Sequence, residues 1–493
     1  MSDSPPHVVI MGAGPAGLTA ALELMRHGAS PTVLERDPRY VGGIARTVEH
    51  EGYRFDIGGH RFFSKNQEIE DLWTEILGDQ LLTRRRLSRI YYRGRYFDYP
   101  LKLGNALANL GPVETVRCLG SYVRARLAPV RSPRTFEDWV SNQFGRRLFE
   151  IFFKTYTEKV WGIPTSELSA DWAAQRIKGL DLAEVARNAL TSRRPRRREA
   201  VVKTLVDEFR YPRLGPGQMW ERASELLAAA DHPVRHGWDV QAIRHQHGSV
   251  TAVEAAHVES GRRHELRGDA FVSTLPIREL VRLLAPAPPP PVREAAEGLN
   301  YRDFLTVGLV VDREELFPDN WIYVHEPDVR VGRLQNFKNW SPGMVADPRR
   351  TGLGLEYFCF EGDGLWTAPD PDLIRLGTDE LARLGICRPE EVCGGTVVRQ
   401  PKAYPVYDDT YRQRVGVVRE WIERELPNLH LCGRNGMHKY NNQDHSMMTA
   451  LLVARGITKR SHLDPWNVNS DAEYQEELRE GQDSTGRTMP ARG

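Results

Sequence analysis

The stretch His7-Val8-Val9-Ile10-Met11-Gly12-Ala13-Gly14-Pro15-Ala16-Gly17 decides how this chain folds. An apolar β-type run enters Gly-x-Gly-x-x-Gly without a break. Leu18 to Arg26 continues as a helix, and Val33-Leu34-Glu35 ends a second strand. Each glycine has its own task. Gly12 permits the tight turn, Gly14 lets the backbone approach a pyrophosphate, and Gly17 lets helix and strand pack closely. The helix N-terminus turns its unpaired N–H groups towards the phosphate charge. Glu35 stands 18 residues after Gly17, the spacing of a carboxylate that holds ribose hydroxyls. Glycines alone would be a weak signal. Strand, helix, second strand and acid together predict a dinucleotide site in a Rossmann-like α/β fold.

The residues that follow choose among dinucleotides. Gly42-Gly43-Ile44-Ala45-Arg46-Thr47 comes soon after Glu35-Arg36-Asp37, and Phe55-Asp56-Ile57-Gly58-Gly59-His60 comes next. This succession resembles the FAD-binding opening of the superfamily of amine oxidases, protoporphyrinogen oxidases and UDP-galactopyranose mutases. The resemblance implies FAD, with Arg36, Gly43 and Ile44 beside it and the second glycine pair passing close to the flavin. A nicotinamide dehydrogenase has no evident need for that pair. The plain alternative is two Gly-Gly turns in a loop.

At 493 residues the chain exceeds one ordinary core, and its 40% apolar and 27% charged composition is that of a soluble protein. A net charge of +1 gives no reason to expect nucleic acid as a partner. The cysteines (Cys118, Cys359, Cys387, Cys393 and Cys432) are scattered and lack metal-ligand spacing, which suits a cytoplasmic protein without a metal site. Met1-Ser2-Asp3 runs nearly straight into the first strand, so no secretory signal is expected. No apolar run reaches membrane-span length.

The expected organisation is a Rossmann-like FAD domain, interrupted by a helical insertion and a mainly antiparallel β substrate domain. FAD-binding parts are expected at 1–100, 201–285 and 426–465, the helical insertion at 101–200, the substrate sheet at 286–425 and a polar tail at 466–493. A helix is predicted near Gln67 to Leu77, and a hairpin about Arg93-Gly94. Helical spacing runs from Phe136 to Phe153, with Ser132-Pro133 as its start signal. Tyr211 to Met219 reads as a turn opening a helix from Trp220 to Ala229. Ala270 to Ser273 reads as a buried strand, and Pro286 to Pro291 as a stiff extended linker. Phe304 to Val311 belongs to the substrate sheet, while Leu429 to Leu431 and Asp444 to Arg455 form the last strand and helix of the FAD domain. Arg193 to Arg198 is a basic tract, a solvated loop by default.

Later stretches narrow the resemblance to one branch. Tyr156-Thr157-Glu158-Lys159-Val160-Trp161, Glu167-Leu168-Ser169-Ala170 and Arg176 resemble the substrate segment of UDP-galactopyranose mutases. Gly332-Arg333-Leu334-Gln335-Asn336-Phe337-Lys338 resembles their second arginine segment, and Ala403-Tyr404-Pro405 another of their tyrosines. Gly433-Arg434 followed by Tyr440, Asn442 and Asp444 resembles their C-terminal flavin motif. Gly58 to Phe63 resembles their histidine loop. The resemblance implies cofactor contacts from Gly12, Gly14, Gly17, Glu35, His60, Gly433, Arg434, Asn442 and Asp444. It also implies a catalytic set of His60, Arg176, Arg333, Tyr404 and Tyr440, with Tyr156, Trp161 and Arg302 completing the substrate site. Without that context Tyr156 and Trp161 read equally as core aromatics, Arg176 as a surface ion-pair residue, and His60 as a satisfied loop histidine. Asn442 departs from the branch, standing where its members carry an aspartate.

The activity so implied is interconversion of the pyranose and furanose forms of a nucleotide sugar. There, N5 of reduced FAD attacks the anomeric carbon without net redox change, and NAD(P)H or a redox partner supplies the electrons. Guanidinium forks suit a diphosphate leaving group, and phenols can donate to the same phosphates. The rival expectation is an oxidase or desaturase of an amine, porphyrin-like or isoprenoid substrate. A flavin-bearing scaffold without turnover is a third. Arginines at the diphosphate positions favour the first, since an apolar substrate would leave their charges unpartnered.

Overall fold

A computed structural model describes residues 5–99, 101, 103–168, 170, 208–408, 410–461 and 464–469. Arg176, the Arg193 to Arg198 tract and the tail beyond 469 lie outside the described residues.

A five-stranded parallel sheet is built on His7–Met11. The strand order is Leu429–Leu431, Ala270–Ser273, His7–Met11, Ser30–Glu35 and Arg235–His236. Val8, Val9, Ile10 and Met11 are fully buried because both faces of the sheet are covered, as a continuous apolar run requires. Pro15–Arg26 covers one face with Gly217–Ala229 and Gln443–Ile457, packing Leu18 and Leu22 against Trp220, Met447 and Leu451. The other face carries Val9, Met11 and Phe271 against Ile277, Leu280 and Leu431. The buried strand Ala270–Ser273 pairs in parallel with the first strand, as expected of a segment returning to this sheet.

The second large sheet has seven strands. Val392–Pro405, Tyr301–Val311, Thr351–Cys359, Arg333–Asn336 and Trp321–Val324 are consecutive antiparallel neighbours. The hairpin Ser88–Tyr92 and Arg95–Asp98, turning at Arg93-Gly94, adds to the edge of that sheet through a parallel pairing with Trp321–Val324. The predicted Gln67–Leu77 helix is present, with Asn66 as its N-cap.

Three local readings differ from the structure. The helix predicted from Phe136 does begin there, with Thr135 and Asp138 in a reciprocal capping box. Its continuation to Phe153 is broken at Gly145 and passes through a π-helical turn at Glu150–Lys154. Glu208–Pro212 is a strand paired with Leu81–Arg85, so the turn before the next helix is shorter and that helix begins at Gly217. The proline run is only partly a linker: Pro290–Glu297 is helical, since proline is tolerated in a helix's first turn.

Candidate active site

A cavity of about 690 Å³ opens between the first glycine turn, the second glycine pair, the His60 loop and the start of the last helix. Gly12, Gly14, Glu35, Arg36, Gly43, Ile44, His60, Gly433, Arg434, Asn442 and Asp444 all line it. Gly42 N–H donates to Ala13 O at 2.8 Å, which ties the second pair back to the first turn. A Cβ on Gly43 would come within 3.4 Å of the Gly14 Cα, so these two backbones frame a slot that side chains would fill. Gly17 serves packing instead: a Cβ there would lie 1.9 Å from Gly12 O. The Glu35 carboxylate accepts from the N–H groups of Ala13 and Asp37, both at 2.9 Å, and is fixed in place at the cavity wall.

The N-terminal ends of two helices, Pro15–Arg26 and Gln443–Ile457, reach this cavity and supply the N–H groups an anion needs. Asn442 caps the second of them in a capping box with His445. Asn435 Oδ1, also at the wall, is buried and finds no partner among the described residues. A slot between glycine backbones, a fixed carboxylate and two helix N-termini fit the pyrophosphate and ribose of FAD.

His60 borders the cavity and its Nε2 lies 2.7 Å from Ile57 O. Burial pushes its pKa down to about 4, and the charges of Arg434 and Arg333 push the same way. It is therefore neutral near pH 7, a hydrogen-bonding ring and not a charge. Burial likewise lowers His430 and His438 to about 4 and His325 to about 3, from an ordinary 6.5. All four folded values lie below the unfolded one, so the unfolded chain binds more protons between roughly pH 4 and 6.5. Their contribution is complete above pH 6.5 and is lost on acidification. Asp56 runs the opposite way, raised by burial from 3.8 to about 7. Burial also raises Glu221 and Asp303 and lowers His445, so five histidines outweigh three acids. Stability should fall from pH 6.5 to pH 4.5 by on the order of 1.4 kcal/mol per pH unit for each net proton. Urea midpoints measured across that range check this, and a midpoint that rises on acidification would contradict it.

Beyond His60 lies an aromatic and charged cluster that adjoins the cavity through Arg434. Tyr404 and Tyr440 stack at 5.7 Å, and the Arg434 guanidinium sits over both rings at 5.5 and 4.9 Å. Arg434 is held by donation to Asn441 O at 2.9 Å and Ala403 O at 3.0 Å. Arg333 pairs with the fully buried Glu356 at 2.9 Å and lies over Phe358 at 5.5 Å and Tyr323 at 6.0 Å. Tyr156 stacks on His325 at 5.1 Å and meets Tyr323 edge-on at 5.4 Å. Burial, with Tyr440 adding to it, pushes the Tyr404 phenol up to about 12, and burial raises Tyr156 too. These phenols stay protonated and can donate. Arg333 stays charged, because Glu356 opposes the effect of its burial.

Two expected substrate residues fall elsewhere. Trp161 is buried in the core of the helical part, against Phe136, Val140, Phe144 and Leu168, so the core-aromatic reading holds. Arg302 is also buried and faces the helix Thr155–Trp161. It donates to Lys159 O at 3.3 Å and Val160 O at 3.1 Å, and to Phe358 O at 2.9 Å, bracing a helix C-terminus whose carbonyls want a cation. Sequence reasoning missed Glu356, which also accepts from Gln335 Nε2 at 2.6 Å. Its signal was available: one acid inside the apolar run of Thr351–Cys359.

This fold and this cavity define a dinucleotide-binding protein. The sequence model of the flavin containing amine oxidoreductase family matches residues 15–455, and the chain belongs to that family. FAD is its cofactor. Among relatives, a probable UDP-galactopyranose mutase of Klebsiella pneumoniae is 25% identical over 172 residues, covering 33% of this chain and 43% of that protein. A phytoene dehydrogenase of Streptomyces griseus is 38% identical over 94 residues, 19% of this chain and 18% of its own. The chain thus matches less than half the length of either. Among solved structures, a reduced UDP-galactopyranose mutase superposes with a TM-score of 0.78 at 24% identity, over 93% of this chain and 96% of the other. A protoporphyrinogen oxidase homologue from Exiguobacterium sp. 255-15 gives 0.68 at 20%, over 94% and 100%. Both carry the same fold.

Proposed function

We propose that this flavoprotein interconverts the pyranose and furanose forms of a nucleotide-activated sugar. The observation that carries the reading is Arg333 set among Tyr156, Tyr323 and Tyr404, with Arg434 and Tyr440 beside Tyr404. Such a set of fixed cation and protonated phenols suits a diphosphate. Guanidinium and phenol donors hold it in the ground state, and stabilise the charge that develops when it leaves the anomeric carbon. Reduced FAD would supply the nucleophile for that carbon, with electrons from NAD(P)H or a redox partner. His60, neutral and held by Ile57, would orient without adding charge. Arg176 is proposed as a second diphosphate cation. Tyr156 would pack against the nucleoside, its ring already stacked on His325.

The test is to incubate dithionite-reduced protein with a panel of nucleotide sugars and separate the products. Ring isomers should form after reduction and be slow or absent with oxidised protein. Stoichiometric substrate oxidation with release of hydrogen peroxide would establish the oxidase reading in its place.

A further inference from the structure

The helix Pro112–Leu127 presents its apolar side to solvent. Val113, Val116, Leu119, Val123 and Leu127 are between 53% and 81% exposed, far more than a packed face allows. At about 100° per residue they fall within an arc of about 120°. The opposite side is the one fixed to the protein. Cys118 is buried there, Ser121 Oγ accepts from Arg147 N–H at 3.1 Å, and the Tyr122 backbone abuts Gly145 so closely that a Cβ would lie 2.6 Å from its nitrogen. The exposed stripe therefore cannot be turned inward by rolling the helix.

The edges of the stripe are basic. Arg117 and Arg124 flank one side and Arg126 the other, and all three are exposed. Arg131 and Arg134 follow in the next segment, where Val130 is also 46% exposed. From 112 to 134 the only acid is Glu114, which lies towards the buried side and is engaged by Arg147 and, at 3.7 Å, by Arg117. An apolar stripe between arginine edges matches the boundary of an anionic bilayer: the stripe enters the acyl region and the guanidinium groups stay at the phosphates. A second copy of the chain would bring arginine edges against arginine edges in any two-fold contact. Among the described residues no helix is long and apolar enough to cross a membrane, so the helix would lie in the surface plane.

We infer that Pro112–Leu127 docks this protein onto anionic lipid surfaces. The purified flavoprotein should co-sediment with vesicles of mixed phosphatidylcholine and phosphatidylglycerol, more weakly with phosphatidylcholine alone, and less as salt is raised. The double substitution Val123→Glu with Leu127→Glu should weaken vesicle binding by about tenfold or more, as should the triple change Arg117→Gln, Arg124→Gln and Arg126→Gln. FAD content and thermal unfolding of both variants should match the parent, since none of these side chains is buried. Failure of the parent to bind the anionic vesicles overturns the inference. So does a dimer by light scattering that dissociates in the Val123→Glu, Leu127→Glu variant, because a second copy would then cover the face. Binding that neither variant changes also overturns it.

Discussion

Arg333→Ala is expected to lose the proposed turnover of a nucleotide sugar and a large part of the fold's stability together. Its partner Glu356 is fully buried at 2.9 Å and would keep only the 2.6 Å bond from Gln335. Stranding one member of a buried pair costs roughly 3–5 kcal/mol. On the substrate side, a lost donor to a charged group in such a site costs on the order of 2–4 kcal/mol, about 30- to 1000-fold in rate. Two further variants separate the roles. Arg333→Ala with Glu356→Gln removes the stranded charge, so the urea midpoint should recover most of its loss while activity stays low. Arg333→Lys keeps a cation opposite Glu356 but loses the fork, so stability should hold better than catalysis. Unfolding curves, FAD per chain and turnover of the reduced protein read out all three. Should the double variant regain full activity, Arg333 serves Glu356 alone and the diphosphate assignment falls.

That coupling shows where the sequence was legible and where it was not. The first sheet could be read because its signals are local. Gly12 to Gly17 are contiguous, and Glu35 belongs to the next strand of the same βαβ unit. The lining of the cavity could be read for the same reason, each part being a short run with its own turn chemistry. The second cluster is assembled from strands far apart in the chain. Glu356 reaches Arg333 because Arg333–Asn336 and Thr351–Cys359 are antiparallel neighbours, in which the two residues are direct partners. No local spacing encodes that register. Trp161 and Arg302 show the converse case. Both occur near residues that match a functional pattern, but a tryptophan on an apolar helix face packs inward and an arginine facing a helix C-terminus binds its carbonyls. The Pro112–Leu127 stripe was missed because helical periodicity alone does not say which side meets solvent.

The other large effect belongs to the first turn, where two glycines three residues apart should fail in different ways. Gly17 sits in the helix Pro15–Arg26 with room for no side chain: a Cβ would meet Gly12 O at 1.9 Å, Gly12 C at 3.1 Å and Ile10 Cγ2 at 3.4 Å. Two of those atoms are backbone of the strand and turn, so the helix itself must move. Overpacking a core costs about 1–3 kcal/mol, and more where backbone must yield. The helix N-terminus that faces the cofactor would move with it. Gly17→Ala should therefore purify with little FAD and unfold at clearly lower urea. Gly14 has a different neighbourhood, its nearest contact being the Gly43 Cα at 3.9 Å, so Gly14→Ala is sterically permitted in the empty fold. Its methyl group would occupy the slot between the two glycine segments, where a pyrophosphate would approach the backbone. Gly14→Ala should keep the urea midpoint of cofactor-stripped protein and still weaken FAD binding about tenfold or more, by the same close-approach argument. Gly416→Ala is the control: it lies in the helix Tyr411–Glu425 with nothing within 4 Å, and should stabilise the fold by about 0.4–1 kcal/mol. Flavin absorbance per chain and urea unfolding of stripped protein distinguish the three. If Gly17→Ala retains full FAD and parental stability, the close helix–strand contact does not hold the cofactor site in shape.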